Sequence, residues 1–286
     1  MKIKASIASR VFDTLNIVFM LVLICVMVFP MVYVFSASIS DNAQVASGAV
    51  LLLPKNVTLI AYEELVKNRD LWISYWNTIR YTAVHVVLTL IATSAMAYPL
   101  AKKWLPGRRL ILVLAAFTLL FNGGMIPTFL VVQKLGILNS IWAIVLPTLI
   151  STWYLFIMRT FFEALPAELE DAATIDGCSS LQVLLRIVLP LSMPVMATIG
   201  LFTAVNQWNA FFDALIYMND RSMYPLQIML RNILVAGSKV QGEGDLSLMQ
   251  TMKYAIIVIA TLPILCVYPF IQKYFVQGTM IGGIKG

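Results

Sequence analysis

Apolar residues run in long, nearly uninterrupted stretches along this chain, and polar residues are gathered into short segments between them. A hydrocarbon core of about 30 Å takes roughly 20 apolar residues in a helix. Six stretches reach or approach that length, at residues 17–37, 81–100, 110–132, 141–161, 195–217 and 254–271, the last being the shortest. The first run follows Lys2, Lys4 and Arg10, as a secretory signal would, yet it is long enough to span and shows no clear cleavage site. It reads as a retained first helix. The pattern predicts an all-α polytopic membrane protein, a single transmembrane domain over 1–286 with six spans.

Composition strengthens that reading. Of 286 residues, 60% are hydrophobic and 12% charged, against about 25% charged in a soluble domain. There are too few charges for a polar skin, so the excess apolar surface faces lipid or a partner that replaces lipid. The formal net charge of +6 predicts no nucleic-acid partner, because the basic residues lie in short groups between apolar runs and form no stripe. Three cysteines, Cys25, Cys178 and Cys266, have no close spacing, and His85 is the only histidine. No disulfide framework or metal site is expected from that set.

The basic groups set the orientation. With the N-terminus inside, the cytoplasmic segments hold Lys2, Lys4, Arg10, Lys102, Lys103, Arg108, Arg109, Arg159, Arg186, Lys273 and Lys285. Short loops decide most. The tight 102–109 turn carries Lys102, Lys103, Arg108 and Arg109, against Lys134 alone in the short loop after the third span. Both termini are therefore expected in the cytoplasm. Two longer loops fall outside, and each contains a predicted short helix, at 62–66 and 226–235. Inside, between spans four and five, lies a segment of different character.

Within residues 164–190, Pro166 suits the first turn of a helix. Glu168, Glu170 and Asp171 follow where negative charge complements the helix dipole. Asp176-Gly177 signals a turn, and Ser179 or Ser180 suits the cap of a second helix beginning near Leu181. Ala172 and Ala173 put two small residues side by side, which lets another surface approach closely. The product is a short helix–turn–helix outside the spans. It is either a docking element or an ordinary connection with a chance Ala pair.

The same segment resembles the signature loop of ABC importer permeases: Glu-Ala-Ala, three residues, Gly, nine residues, Ile, one residue, Leu-Pro. Here it falls on Asp171-Ala172-Ala173, Gly177, Ile187 and Leu189-Pro190, with Asp171 in place of Glu and Glu170 just before it. The resemblance implies a type I importer permease fold, in which Glu170, Asp171, Ala172, Ala173, Asp176, Gly177, Ile187, Leu189 and Pro190 belong to a coupling helix and its support. It further implies a bacterial inner-membrane location. The implied partners are a second homologous permease, two copies of an ATP-binding subunit and an extracytoplasmic solute-binding protein. Pro54-Lys55-Asn56, Trp76-Asn77-Thr78, Trp208-Asn209, the 121–128 segment and the 272–278 ending resemble carbohydrate-importer permeases, in particular the complex-oligosaccharide subgroup that includes pectin- and alginate-derived substrates. The last ten residues are Gly-rich, and the resemblance to related permeases implies a tail that can reach towards the ATP-binding pair.

No Gly-x-x-x-x-Gly-Lys-Ser/Thr occurs, so no P-loop is present to hold nucleotide phosphates. ATP and Mg are expected on the partner subunit, with no cofactor, metal or catalytic group in this chain. An ATP-independent secondary transporter is the rival reading, but such proteins usually carry repeats and several buried ionisable residues. A membrane-bound enzyme would need a catalytic set, and none is evident. Within the spans, Asn206, Asn209 and Asp213 share a helix face at i, i+3 and i+7, with Gln207 and Trp208 beside it. They are candidate lining for a sugar pathway, or glue between helices. Asn122-Gly123-Gly124 before Pro127 interrupts the third span, as a broken helix or a packing kink.

Overall fold

The computed structural model describes residues 7–239 and 250–266, all of whose regular elements are helical. The 272–278 ending, the Gly-rich tail, Lys2, Lys4, Lys273 and Lys285 lie outside the described residues. So does the end of the sixth stretch.

Helix α1 (Ile7–Ser38) contains the first apolar stretch, and α2 (Ile60–Lys67) the short helix predicted at 62–66. The second stretch sits in the long α3 (Arg69–Ala101). The third is divided between α4 (Arg108–Leu120) and α5 (Met125–Lys134), bent by 116°. The fourth is α6 (Ile141–Val145) with a 3-10 turn to Thr148, followed after a 56° bend by α7 (Thr152–Glu163). Helices α8 (Ala167–Ile175) and α9 (Ser180–Leu191) form the predicted pair. After an 80° bend comes α10 (Met193–Asn209), then α11 (Phe212–Tyr217). Helix α12 (Leu226–Lys239) covers the short helix predicted at 226–235, and α13 (Gln250–Cys266) carries the described part of the sixth stretch. Among the described residues two helices are long and apolar enough to cross a membrane, or up to five if each bent pair counts as one span.

The chain forms two compact units. Of the described residues, one comprises those up to Arg69 with those between Leu230 and Leu262; the other comprises Asp70–Met229 with those from Pro263 onward. In the first, the end of α1 is tied down by a row of serines at alternate positions. Ser36 Oγ donates to Leu52 O (2.6 Å), Ser38 and Tyr62 hydroxyls meet at 2.8 Å, and Ser40 Oγ accepts from Lys55 N (3.0 Å). Burial pushes the Tyr62 phenol above its ordinary value. Ala61 and Leu65, one turn apart, are the buried face of α2.

The second unit has a hydrophobic core at each end. Ala97, Leu100, Leu155, Met158, Phe162, Ala173, Val188 and Ile199 make one, where α3, α7, α8, α9 and α10 converge. Tyr81, Ile141, Val145, Ala214, Met218 and Ile228 make the other. At this second end Asn77 Nδ2 donates to the carbonyls of Ser222 (2.7 Å) and Tyr224 (3.2 Å), and Asn139 Oδ1 accepts from Asn219 N (2.6 Å). The nearby Asp220 carboxylate accepts from Ser222 N, which holds it below the ordinary carboxylate value.

Candidate functional site

Local chemistry shapes the α8–α9 pair. Pro166 is the residue just before α8, with ψ 125°, rather than a member of its first turn. Glu168 and Glu170 occupy that turn, near the unpaired N–H groups. The helix ends in a left-handed Gly177 (φ 83°), with Gly177 N bonded to Thr174 O and Cys178 N to Ala173 O. Those paired bonds satisfy carbonyls that the last turn would otherwise leave open. Ser179 then starts α9 with a capping box: its Oγ accepts from Gln182 N (3.4 Å) while Gln182 Oε1 accepts from Ser179 N (2.8 Å).

The alanine pair is split. Ala172 is exposed, but Ala173 is 6% exposed and packs in the core of its unit. The expectation of two small residues presented together on an open face is corrected: adjacent residues on a helix lie 100° apart, and only one of them faces outward. The exposed face carries Glu168, Asp171, Ala172 and Ile175, the last 86% exposed. Glu170 points inward, paired with Lys102. Asp176 and Gly177 are exposed at the turn, Ile187 and Leu189 pack against the core, and Pro190 is exposed. A π-helical turn occupies Leu184–Val188. Pro190 and Pro194, which lack N–H donors, flank the 80° bend.

The polar residues of α10 separate into two groups. Asn206 is exposed and donates to the Tyr154 hydroxyl (3.1 Å), whose ring stacks on Phe202 at 6.4 Å with 4° between the planes. Asn209 is exposed and donates to Val205 O of its own helix (2.8 Å). Gln207 is buried: its Oε1 accepts from His85 Nδ1 (2.7 Å), and His85 Nε2 lies 3.3 Å from Thr148 O. Trp208 is also buried, edge-on to Tyr75 at 5.9 Å. The three-residue face expected at 206, 209 and 213 is not continuous. Helix α10 stops at Asn209, Ala210 is extended (ψ 125°), and half-buried Asp213 belongs to the first turn of α11.

Asn122 lies in the break between α4 and α5, where its Oδ1 accepts from Gly124 N (2.8 Å). Gly124 has φ 86° and ψ 173°, a conformation essentially confined to glycine. The sequence signal for a break was therefore sound. An apolar cavity of about 380 Å³ lies elsewhere in this unit, lined by Thr82, Val86, Leu201, Trp208 and Pro263 among others. It offers too few polar groups to satisfy a sugar's hydroxyls. Among the described residues no His, Cys, Asp and Glu cluster could hold a metal. Sequence reasoning missed Tyr98, Tyr154, Phe202 and Glu163, each of which has a partner 48 to 72 residues away that leaves no local pattern.

Over residues 3–281 the chain matches the family of the binding-protein-dependent transport system inner membrane component. It belongs to that family. This permease is 45% identical to protein LplC of Bacillus subtilis (strain 168) over 284 residues, 98% of this chain and 96% of LplC. It is 42% identical over 284 residues to the polygalacturonan/rhamnogalacturonan transport system permease protein YtcP of the same organism, covering 97% and 99%. Among solved structures it matches a chain of a bacterial ABC transporter involved in the import of the acidic polysaccharide alginate. The TM-score is 0.89 at 36% identity, covering 96% of this chain and 100% of that one. The permease is thus a membrane-embedded subunit of an ABC importer, with the type I fold, and α8–α9 carries the signature loop of its family.

Proposed function

We propose that this permease forms half of the translocation pathway of an importer for oligosaccharides derived from acidic polysaccharides such as pectin or alginate. A second homologous permease supplies the other half, two ATP-binding subunits drive the cycle, and an extracytoplasmic solute-binding protein delivers the substrate. Near full-length similarity to YtcP carries this reading, and the alginate-importer structure supports it.

In this reading each ATP-binding subunit holds one α8 by its exposed face, so that closure of the pair on ATP moves α8. Asp171 is the carboxylate presented there, and Ala172 allows close approach beside Ile175. ATP drives transport through its differential affinity for the two states of the complex. Asn206, with the Tyr154–Phe202 pair beside it, is the favoured pathway face, because exposed amides at membrane depth need water or a polar ligand. Stacked rings offer a sugar an apolar platform. Gln207 and His85 hold α3, α10 and the fourth span together.

Six spans with both termini inside remain the proposed topology. Two observations favour it. At one end of the second unit, Lys102 meets the 163–170 segment, both expected inside. At the other, Asn77 and Asn139 meet the 219–224 loop, all expected outside. Helix α3, with 33 residues, is about 50 Å long, so its first turns, with exposed Trp72 and Trp76, extend to or past the interface.

The decisive experiment joins purification to uptake. Tagged permease is isolated in mild detergent from its own membranes, and the deletion strain is fed oligogalacturonate or oligoalginate. The expected result is recovery of a P-loop ATPase and a second permease, with uptake of one of these sugars lost in the deletion. A homo-oligomer without ATPase, or unchanged uptake of both sugars, would overturn the assignment.

A further inference from the structure

The turn after α3 and the start of α8 are joined by charge. Lys102, one residue past the end of α3, pairs with Glu170. Tyr98, one turn earlier, donates its hydroxyl to the same carboxylate (3.3 Å), and the Lys102 ammonium lies 4.6 Å from the Tyr98 ring centre. The Lys102 and Glu170 side chains are only 20% and 18% exposed. Beside them Glu163, at the end of α7, accepts from Arg108 and from Arg159 (2.6 Å). Both guanidiniums also donate through Nε to Leu100 O, at 2.8 and 3.2 Å. Leu100 lies in the last turn of α3, where carbonyls lack partners within the helix.

An isolated pair on an open surface contributes little. This one is four-fifths covered, shares its acceptor with a tyrosine and adjoins a second ion cluster on the same helix end. It therefore belongs with charge-assisted networks. Its placement matters more than its strength. Helix α8 is fastened to its unit by Ala173, whose short side chain offers little resistance to rolling of the helix. Glu170 lies one turn earlier on the same side. Two attachments a turn apart fix direction as well as position.

We propose that Glu170 is a positioning residue for energy coupling. Held by Lys102 and Tyr98, its carboxylate locks α8 to the end of α3, so that displacement of α8 by the ATP-binding subunit reaches the membrane helices instead of being lost as rotation of α8. The role rests on the importer reading. It distinguishes Glu170, which works within the chain, from its neighbour Asp171, which faces outward.

The test places spin labels at Lys103→Cys and Ser180→Cys, with the three native cysteines changed to Ser, and measures their separation by pulsed EPR. The chain is studied in its purified complex, without nucleotide and with ATP and vanadate. A single narrow distance is expected in both states. Glu170→Gln should broaden it, and Tyr98→Phe should do so less. With equal recovery of the ATP-binding subunit, Glu170→Gln should lower kcat for ATP by about tenfold while KM for ATP stays the same, as expected for loss of a charged hydrogen bond. The exchange Lys102→Glu with Glu170→Lys should restore both width and kcat. A distance as narrow in Glu170→Gln as in the parent would overturn the proposal. So would loss of the ATP-binding subunit in Glu170→Gln that the charge exchange fails to restore, since Glu170 would then contact the partner. The same label pair in the chain purified alone tests the latch even when no ATPase is recovered, so failure of the importer reading gives a different result.

Discussion

Ala172 and Ala173 are neighbours in sequence and opposites in environment, and the difference is measurable. Ala173→Trp forces a large ring into a packed core, where overpacking costs about 1–3 kcal/mol or more. It should lower the unfolding temperature of the purified permease and its yield. Ala172→Trp meets open space on the chain itself and should leave that temperature within experimental error, yet reduce co-purification of the ATP-binding subunit. Equal thermal losses in the two variants would contradict the split face. Glu170 and Asp171 divide in the same way. Residue identity announced that carboxylates and small side chains belonged here. It did not say which of each pair faced in, because helical phase is set by the contacts of α8 with α3 and α7.

At the scale of elements, the described helices follow the apolar stretches closely, and the breaks near 121–124 and 190–194 coincide with glycine and proline. The break at Asn122-Gly123-Gly124 was legible because only glycine readily takes the backbone found at Gly124. The stop at Asn209 was not, since nothing in Asn209-Ala210-Phe211 forbids a helix, and so the 206–209–213 face dissolved. The cross-link between elements is His85 with Gln207. Replacing Gln207 by Leu leaves a buried imidazole donor without its partner, at a cost of about 1–3 kcal/mol. The double change His85→Leu with Gln207→Leu should recover part of that loss, giving a coupling energy of about 0.5–3 kcal/mol in a double-mutant cycle. Thermal unfolding in detergent measures it. Additive losses would show that the two side chains do not act as a pair.

For the whole molecule, the proposed topology makes a direct prediction about access. In intact cells with the native cysteines removed, a membrane-impermeant maleimide should label Lys134→Cys readily. It should label Lys103→Cys only after the membrane is opened. The reverse pattern would invert the chain, and labelling of both in intact cells would break the six-span count. The basic residues of the 102–109 turn have two uses at this scale. In the proposed topology they retain that turn in the cytoplasm, and Lys102 and Arg108 bind the carboxylates of Glu170 and Glu163. Only the first use could be read from the chain, because a charge count gives sidedness without giving partners.

The sequence by itself determined the membrane class, the apolar helices, the turn chemistry of Asp176-Gly177-Cys178-Ser179 and the family. Each of these depends on composition, on runs of like residues or on fixed local spacing, and such information needs no folded neighbour. Tertiary structure alone decided which face of α8 is open, that α10 ends before Asp213, that His85 grips Gln207, and that Glu170 is held by Lys102. The last two of those outcomes join side chains 122 and 68 residues apart. Contacts at that separation follow from how helices pack, which no local pattern encodes.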